Sequence, residues 1–217
     1  MARRTKEEAQ ETRSKLLDAA ECLFQAQGVS GTSLQDIATR AGTTRGAVYW
    51  HFKDKADLFN AMMERVTLPL EAYFHPEDVH PEGSIDSNAN ALQRTRSAIL
   101  NALRQIVTDA QTRRVLEVAT QKVEYVEEHK TIRLRHIAAR NGFYSRTEEN
   151  MAAASRQTNI KFPMPVSMAA RGLHALIDGL IQNWLLEPEA FDLVDTGRNA
   201  MDAYLRGLGL PHTQDAA

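Results

Sequence analysis

The fold is decided by residues 32–53, which read TSLQDIATRAGTTRGAVYWHFK. Leu34, Ile37 and Ala38 follow one another at helical spacing and give one apolar face. Gly42 then supplies the left-handed backbone with which many helices end. The stretch therefore predicts a helix, a glycine turn and a second helix. This order is typical of a helix-turn-helix, whose second helix enters the major groove of DNA.

Hydroxyl side chains precede both predicted helices. Thr32 or Ser33 can cap the first helix, and Thr43 or Thr44 can cap the second, because their oxygens accept hydrogen bonds from free backbone N–H groups.

The predicted DNA contacts lie on and around the second helix. Arg45 and Gly46 occupy its first turn, from which a recognition helix reaches base edges, and Gly46 lets the backbone approach closely. Hydroxyl, imidazole and ammonium donors on the flank suit phosphate oxygens. The residues that this local chemistry predicts to contact DNA are Arg45, Gly46, Tyr49, His51, Lys53 and Lys55.

Composition is that of a soluble, packed protein: 217 residues, 43% apolar and 25% charged. No run approaches the roughly 18 apolar residues of a membrane span, and the N-terminus has no apolar signal region. We therefore expect a cytoplasmic protein without a membrane partner. The single Cys22 cannot form an intrachain disulfide, and a structural thiol is favoured over a redox sensor.

Charge is distributed unevenly. Through residue 55 there are nine Lys and Arg against seven Asp and Glu, a net charge of +2, and the remaining 17 basic and 21 acidic residues give −4. A basic N-terminal part agrees with DNA contact at one end.

The rest of the chain is predicted to be helical, with about nine helices in all. A first helix spans residues 5–27 and a fourth begins near Asp54. Residues 75–90 and 158–165 are rich in turn formers and predict breaks. Further helical patterns cover 92–107, 115–119, 125–154, 166–186 and 190–208. With no alternating strand pattern, the fold class is all-α.

The last two predicted helices have wide apolar faces. They could cover the core of one subunit or meet their copies in a second subunit. We favour the homodimer, because helix-turn-helix proteins commonly pair to read two half-sites.

The sequence resembles the tetracycline-repressor (TetR) family. The matching segments are Leu16–Phe24, Gly28, Thr32–Ala41 and, above all, Thr44–Leu58. A longer similarity to AcrR- and TtgR-type repressors of multidrug efflux pumps rests on Arg3–Arg13, Asp109–Arg114, Asp178–Ile181, Trp184–Leu186 and Pro188. Thr43 departs from the family pattern, which more often has an aliphatic residue there, so the resemblance does not give the operator sequence.

The resemblance implies a DNA-binding domain at residues 1–54 and a ligand-binding and dimerisation domain at 55–217. Thr44 and Arg45 would touch base edges, Gly46 would make the closest approach, and Trp50 would pack at the domain edge. Thr32, Tyr49, His51 and Lys55 would hold phosphates. With Ser33, Thr43 and Lys53, these residues make up the predicted DNA contacts.

The resemblance also implies a pocket for a small lipophilic effector, apolar with a few polar groups. Its predicted lining is Val66, Ile99, Ala102, Leu103, Leu116, Thr120, Phe143, His174, Ile177 and Asp178. His174 and Asp178, four apart, could form a polar pair. They could equally bond within the subunit or face the partner subunit, and each apolar residue could be plain core.

The function expected from the sequence is that of a bacterial repressor that binds a palindromic operator as a dimer. A lipophilic effector releases it, and it controls a multidrug efflux operon. A regulator of a metabolic or lipid-related operon is the alternative. An architectural protein would not need so large a C-terminal region, and no phosphate loop, nucleophile elbow, HExxH or CxxC motif favours an enzyme. We expect no cofactor and no metal, because the spacings of His75 and His80 and of His129 and His136 suit zinc poorly.

Overall fold

The computed structural model describes residues 6–66, 91–124 and 130–210. Within them every regular element is a helix: α1 Lys6–Gln27, α2 Leu34–Arg40, α3 Arg45–His51, α4 Lys55–Met63, α5 Ala91–Thr108, α6 Ala110–Gln121, α7 Lys130–Thr158, α8 Val166–Leu186 and α9 Leu193–Gly207. The all-α prediction, with an N-terminal helix-turn-helix and a larger helical remainder, is confirmed. Several features discussed above lie outside the described residues: the predicted loop 75–90, the histidines at 75, 80 and 129, Arg3, Arg4 and the far end of the fourth helix.

α1 is an amphipathic helix that anchors the N-terminal helices. Leu16, Leu17 and Phe24 are buried on one face, as their helical spacing predicts. The Phe24 ring lies 6.0 Å from that of Phe59 in α4. Gly28 ends the helix with φ +79°, and its N–H donates to the Phe24 carbonyl at 2.9 Å.

The two short helices of the helix-turn-helix are defined by their caps. Ser33 caps α2 in a reciprocal pair with Asp36: the Asp36 N–H donates to the Ser33 hydroxyl oxygen at 3.1 Å, and the Ser33 N–H donates to the Asp36 carboxylate at 3.0 Å. The hydrogen bond from the Ser33 hydroxyl holds the pKa of Asp36 below its ordinary value. Thr44 caps α3 by accepting from the Ala47 N–H at 3.2 Å. Between the helices Gly42 has φ +66°, so the turn requires the residue that the sequence supplies.

Two compact units make up the chain. One comprises residues 1–67 and 111–136, and the other comprises 68–110 and 137–217. α6 thus lies in the same unit as the helix-turn-helix and α4. The functional division between residues 54 and 55 stays a prediction.

In the second unit, α9 packs against both α5 and α8. Gly197 of α9 lies directly against Leu103 of α5, where a β-carbon would collide with the leucine side chain. A buried ion pair joins Arg96 of α5 to Asp202 of α9, both under one-tenth exposed. The Tyr204 hydroxyl donates to the Ala169 carbonyl of α8 at 2.9 Å, and burial raises the pKa of Tyr204.

In the part of the chain that the structure describes, none of the helices has the length and apolar character needed to span a bilayer.

Candidate DNA-binding surface and ligand-binding region

α3 has one face in the core and one face in solvent. Val48 and Phe52 are buried, at 0% and 2% exposure, and fix the helix on its neighbours. Arg45 and Gly46 are exposed in its first turn, and Tyr49 is 49% exposed. The arrangement presents the residues predicted to contact DNA on a helix whose orientation is set by packing.

The Arg45 side chain is held by Tyr49, one turn further along α3. Its Nη2 donates to the Tyr49 hydroxyl at 3.1 Å, and the guanidinium carbon lies 5.5 Å from the centre of the Tyr49 ring. A guanidinium has five N–H donors, so most of them stay available for an external acceptor. The contact thus orders a side chain that can still bind a base edge.

Gly46 has no role inside the protein that requires a glycine. A β-carbon built there would have the Thr44 hydroxyl oxygen as its nearest neighbour, at 3.8 Å, an ordinary contact. A missing side chain on the exposed face of a helix costs stability. The space left by the missing side chain lies on the solvent-exposed face of α3.

Thr32 and Lys55, both predicted to hold phosphates, are used inside the protein. Thr32 is 2% exposed, and its hydroxyl donates to the Gly28 carbonyl at 2.7 Å. The Lys55 ammonium donates to the carbonyls of Val29 and Thr32 at 2.8 and 3.2 Å. Both side chains therefore stabilise the turn between α1 and α2, and their contact with DNA stays a prediction.

The prediction that Trp50 packs at the domain edge is wrong. Its side chain is 73% exposed and meets the His51 ring edge-on at 4.5 Å. The reason is helix geometry: Val48 and Phe52 take the inward positions, and Trp50, two residues from each, lies about 200° away from them around the helix.

The other predicted contact residues lie around the ends of the two helices. Ser33 and Thr44 are exposed caps, Thr43 and His51 are half-buried, and the Lys53 side chain is exposed. The Lys53 N–H donates to the Asp57 carboxylate at 2.9 Å. Their contact with DNA stays a prediction.

Three of the predicted pocket residues lie in the first unit. Val66 is 8% exposed, and Leu116 and Thr120 are half-buried on α6. The Thr120 hydroxyl donates to the Leu116 carbonyl at 2.8 Å, a bond within the helix.

The other seven lie in the second unit. Those that are buried are Ile99, Ala102, Leu103, Phe143 and Ile177. His174 is half-buried and meets the ring of Phe143 at 5.1 Å and that of Tyr144 at 4.9 Å, both edge-on. The structure thus brings His174 and Phe143 together. The pairing of His174 with Asp178, which is half-buried, stays a prediction.

Sequence reasoning missed the surroundings of Tyr144. The guanidinium groups of Arg140 and Arg171 lie over its ring, with carbon-to-centroid distances of 5.8 and 4.7 Å. Arg140 is on the same helix, one turn away, and spacing could have found it. Arg171 is on α8, and no local pattern predicts its approach. Across residues 6–66, 91–124 and 130–210 no three His, Cys, Asp or Glu side chains gather as metal ligands would.

Family models match both parts of the chain. The model of the bacterial regulatory proteins of the tetR family matches residues 16–62. The model of the C-terminal region of MAATS-type transcriptional repressors matches residues 90–210, more than half of the chain.

Individual relatives match along almost the full length. The transcriptional regulator TtgR of Pseudomonas putida is 36% identical over 204 residues, which cover 91% of this chain and 94% of TtgR. NalD, the secondary repressor of the MexAB-OprM multidrug efflux pump in Pseudomonas aeruginosa, superimposes with a TM-score of 0.79 at 36% identity, covering 92% of this chain and 98% of NalD.

A third relative has been solved with a small molecule. The SmeT–triclosan complex superimposes with a TM-score of 0.73 at 30% identity, covering 90% of each chain. SmeT is the repressor of the Stenotrophomonas maltophilia multidrug efflux pump SmeDEF. All three relatives are regulators rather than enzymes. With these matches and an exposed recognition helix on the expected residues, the chain belongs to the TetR family of DNA-binding transcriptional repressors.

Proposed function

We propose that this protein is a ligand-responsive repressor of a multidrug efflux operon. Two copies bind a palindromic operator, and a small lipophilic effector releases them. The observation that carries the proposal is the exposed first turn of α3, where Arg45 is held by Tyr49 and remains free to bind outward. The efflux role is supported by NalD and SmeT, both repressors of such pumps.

In the proposed complex, α3 lies in the major groove. Arg45 reads a base edge, guanine being its commonest target. The Thr44 oxygen already accepts from the Ala47 N–H, but its O–H can still donate to a base or a phosphate. Tyr49, His51 and Lys53 supply donors to the phosphates.

The proposed dimer forms through α8 and α9. Two large apolar side chains of α8 are exposed in the single chain, Met168 at 60% and Leu186 at 73%. These side chains lie near the two ends of α8 and are available to a second subunit, and helix-turn-helix proteins commonly pair to read two half-sites. To read two half-sites, the two α3 helices of the dimer must reach successive major grooves, about 34–36 Å apart.

The effector is proposed to bind among the apolar side chains of the predicted pocket. The predicted pocket combines buried apolar side chains, those of Ile99, Phe143 and Ile177, with the half-buried imidazole of His174. Such a lining suits a lipophilic aromatic compound with one or two polar groups. Triclosan, bound by SmeT, is a suitable probe. Release requires that the effector bind the DNA-free conformation more tightly than the DNA-bound one.

The proposal is tested by titrating the purified protein onto fluorescent DNA from the region upstream of its own gene, with and without triclosan and other lipophilic antimicrobials. We expect specific binding that a saturating effector reverses. Absence of specific binding would contradict the repressor role. Binding that fatty acyl compounds reverse, while antimicrobials do not, would replace the efflux role by that of a lipid-operon regulator.

Gly46→Ala separates DNA contact from folding. The added methyl group meets nothing closer than 3.8 Å in the protein, and alanine in a helix is about 0.5–1 kcal/mol more favourable than glycine. We expect unchanged or raised thermal stability together with operator affinity lowered roughly tenfold, measured by fluorescence anisotropy.

The matched control for this variant is Gly207→Ala at the end of α9, where a β-carbon also meets nothing within 4 Å in the single chain, and its dimer mass is measured alongside because α9 belongs to the proposed dimer contact. It should leave operator affinity unchanged. Equal operator affinity for Gly46→Ala and the wild type would show that the backbone at Gly46 does not approach DNA closely.

A further inference from the structure

A buried carboxylate lies on α1, outside the residues that the proposed function uses. Glu21 is 2% exposed and lies among the apolar residues of that helix. Glutamate is almost never so deeply buried unless it is paired. A charge in that position requires specific partners.

The partners of Glu21 come from two other segments. Arg114 of α6 donates from Nη1 to Oε1 at 2.9 Å, and Gln111 of α6 donates from Nε2 to Oε2 at 3.4 Å. Arg65, just after α4, places its Nη1 3.6 Å from Oε2, and the same nitrogen lies 2.6 Å from the Asp18 carboxylate. α6 thus holds the Glu21 carboxylate more closely than the segment after α4 does.

Polar contacts between α1 and α6 continue beyond Glu21. Gln25 donates to the Glu117 carboxylate at 2.8 Å. The Val29 N–H, just after α1, donates to the Lys122 carbonyl at 2.9 Å. We call this row of contacts, from Glu21 to Val29 on one side and from Gln111 to Lys122 on the other, the α1–α6 seam.

The seam lies inside a single compact unit, because α6 is grouped with the N-terminal helices. α1 packs in turn against α2, and α2 against α3. Glu21 and Gln25 lie one turn apart on the same face of α1, and Val29 follows directly after the end of the helix. Polar contacts from α6 thus meet α1, which packs on both α2 and α4, and α2 packs on the recognition helix.

We propose that Glu21 is a positioning residue for DNA binding. Its carboxylate fixes α1, and with it α2 and α3, on α6, so that the recognition helix follows α6. Because Leu116 and Thr120 of the predicted pocket lie on α6, an effector bound there would act on α3 through this seam. The positioning role of Glu21 rests only on the operator binding of the proposed function. The action of an effector through the seam rests also on the proposed effector.

The test compares Glu21→Gln with Glu11→Gln. Both substitutions remove one negative charge from α1, but Glu11 is exposed and pairs within the helix, with Lys15 at 2.7 Å. The readout is the ratio of affinity for the operator to affinity for unrelated DNA of the same length. Partial unfolding lowers both affinities equally and leaves the ratio unchanged. A misplaced recognition helix lowers only the affinity for the operator.

We expect Glu21→Gln to lower this ratio at least tenfold and Glu11→Gln to leave it within twofold of the wild type. Arg114→Lys, which keeps the charge and a donor, should stay within about threefold. Arg114→Gln removes the shortest contact from a partly exposed position and should lower the ratio in the same direction. It serves as the second variant if Glu21→Gln does not fold.

An unchanged ratio in Glu21→Gln or, should that variant not fold, in Arg114→Gln would overturn the inference. Absence of operator-specific binding in the wild type would instead overturn the proposed function, and the inference with it. In a second measurement, triclosan is added to the operator complexes. The factor by which it weakens wild-type binding should shrink in Arg114→Gln, and an equal factor in both proteins would exclude the seam from the effector response.

Discussion

Arg45→Ala is expected to abolish specific operator binding, weakening it about 100-fold or more. A good bidentate contact between arginine and guanine is worth roughly 1–3 kcal/mol, and the proposed dimer would lose two of them. The side chain is exposed at the start of α3 and is ordered by Tyr49. The loss is therefore one of base contact rather than of folding, and it is measured by anisotropy titration on the operator.

The control for Arg45→Ala is Arg104→Ala, which removes the same charge from an exposed side chain of α5 that donates to Asn101 at 2.8 Å. It should leave operator binding, dimer mass and thermal unfolding as in the wild type. Arg45→Ala should also keep its dimer mass and its affinity for triclosan. Retention of wild-type operator affinity by Arg45→Ala would remove this residue from the recognition surface.

Arg96→Ala is expected to have the largest effect on stability. It leaves Asp202 buried without its cation in the interior of the second unit, where both members of the pair are under one-tenth exposed. Breaking a buried pair by removing one partner costs about 3–5 kcal/mol. For a chain of this size that corresponds to a fall of roughly 10 °C in the unfolding midpoint, measured by circular dichroism.

The double variant Arg96→Met with Asp202→Leu tests the cause of that loss. Replacing both members by apolar side chains of similar volume is often neutral or stabilising, so most of the lost stability should return. If the double variant is as unstable as Arg96→Ala, the loss comes from packing around Arg96 and not from the unpaired carboxylate.

The helix-turn-helix could be predicted from sequence because its signals are local. Ser33 and Gly42 each act within three or four residues, and the structure uses them for the cap and the turn as predicted. α1 begins and ends within one residue of its predicted limits. Hydrophobic spacing and capping chemistry suffice for such elements.

Contacts between distant residues could not be predicted in this way. Lys55 bonds to carbonyls 23 and 26 residues earlier, and Glu21 pairs with Arg114 across 93 residues. Sequence alone shows a lysine after a recognition helix, for which a phosphate contact is the simplest interpretation. Only the fold shows that the same ammonium stabilises a turn.

The burial of the predicted pocket residues could be predicted from the sequence, but whether they line a pocket or fill the core could not. Apolar spacing identified residues that are buried, such as Ile99 and Ile177, but burial is equally what core packing requires. Leu103 illustrates the ambiguity, because it packs on Gly197 and so fills the core. The rings around His174 come from another helix, and spacing on α8 gives no sign of them.

The two tryptophans of the chain lie in opposite environments. Trp50, in the first unit, is 73% exposed, and Trp184, in the second, is 4% exposed. Indole fluorescence shifts to longer wavelength in water and is quenched by dissolved iodide only where the ring is accessible. The protein therefore carries one optical reporter for each unit. Trp184→Phe leaves emission from the recognition helix alone, and Trp50→Phe leaves emission from the interior of the second unit.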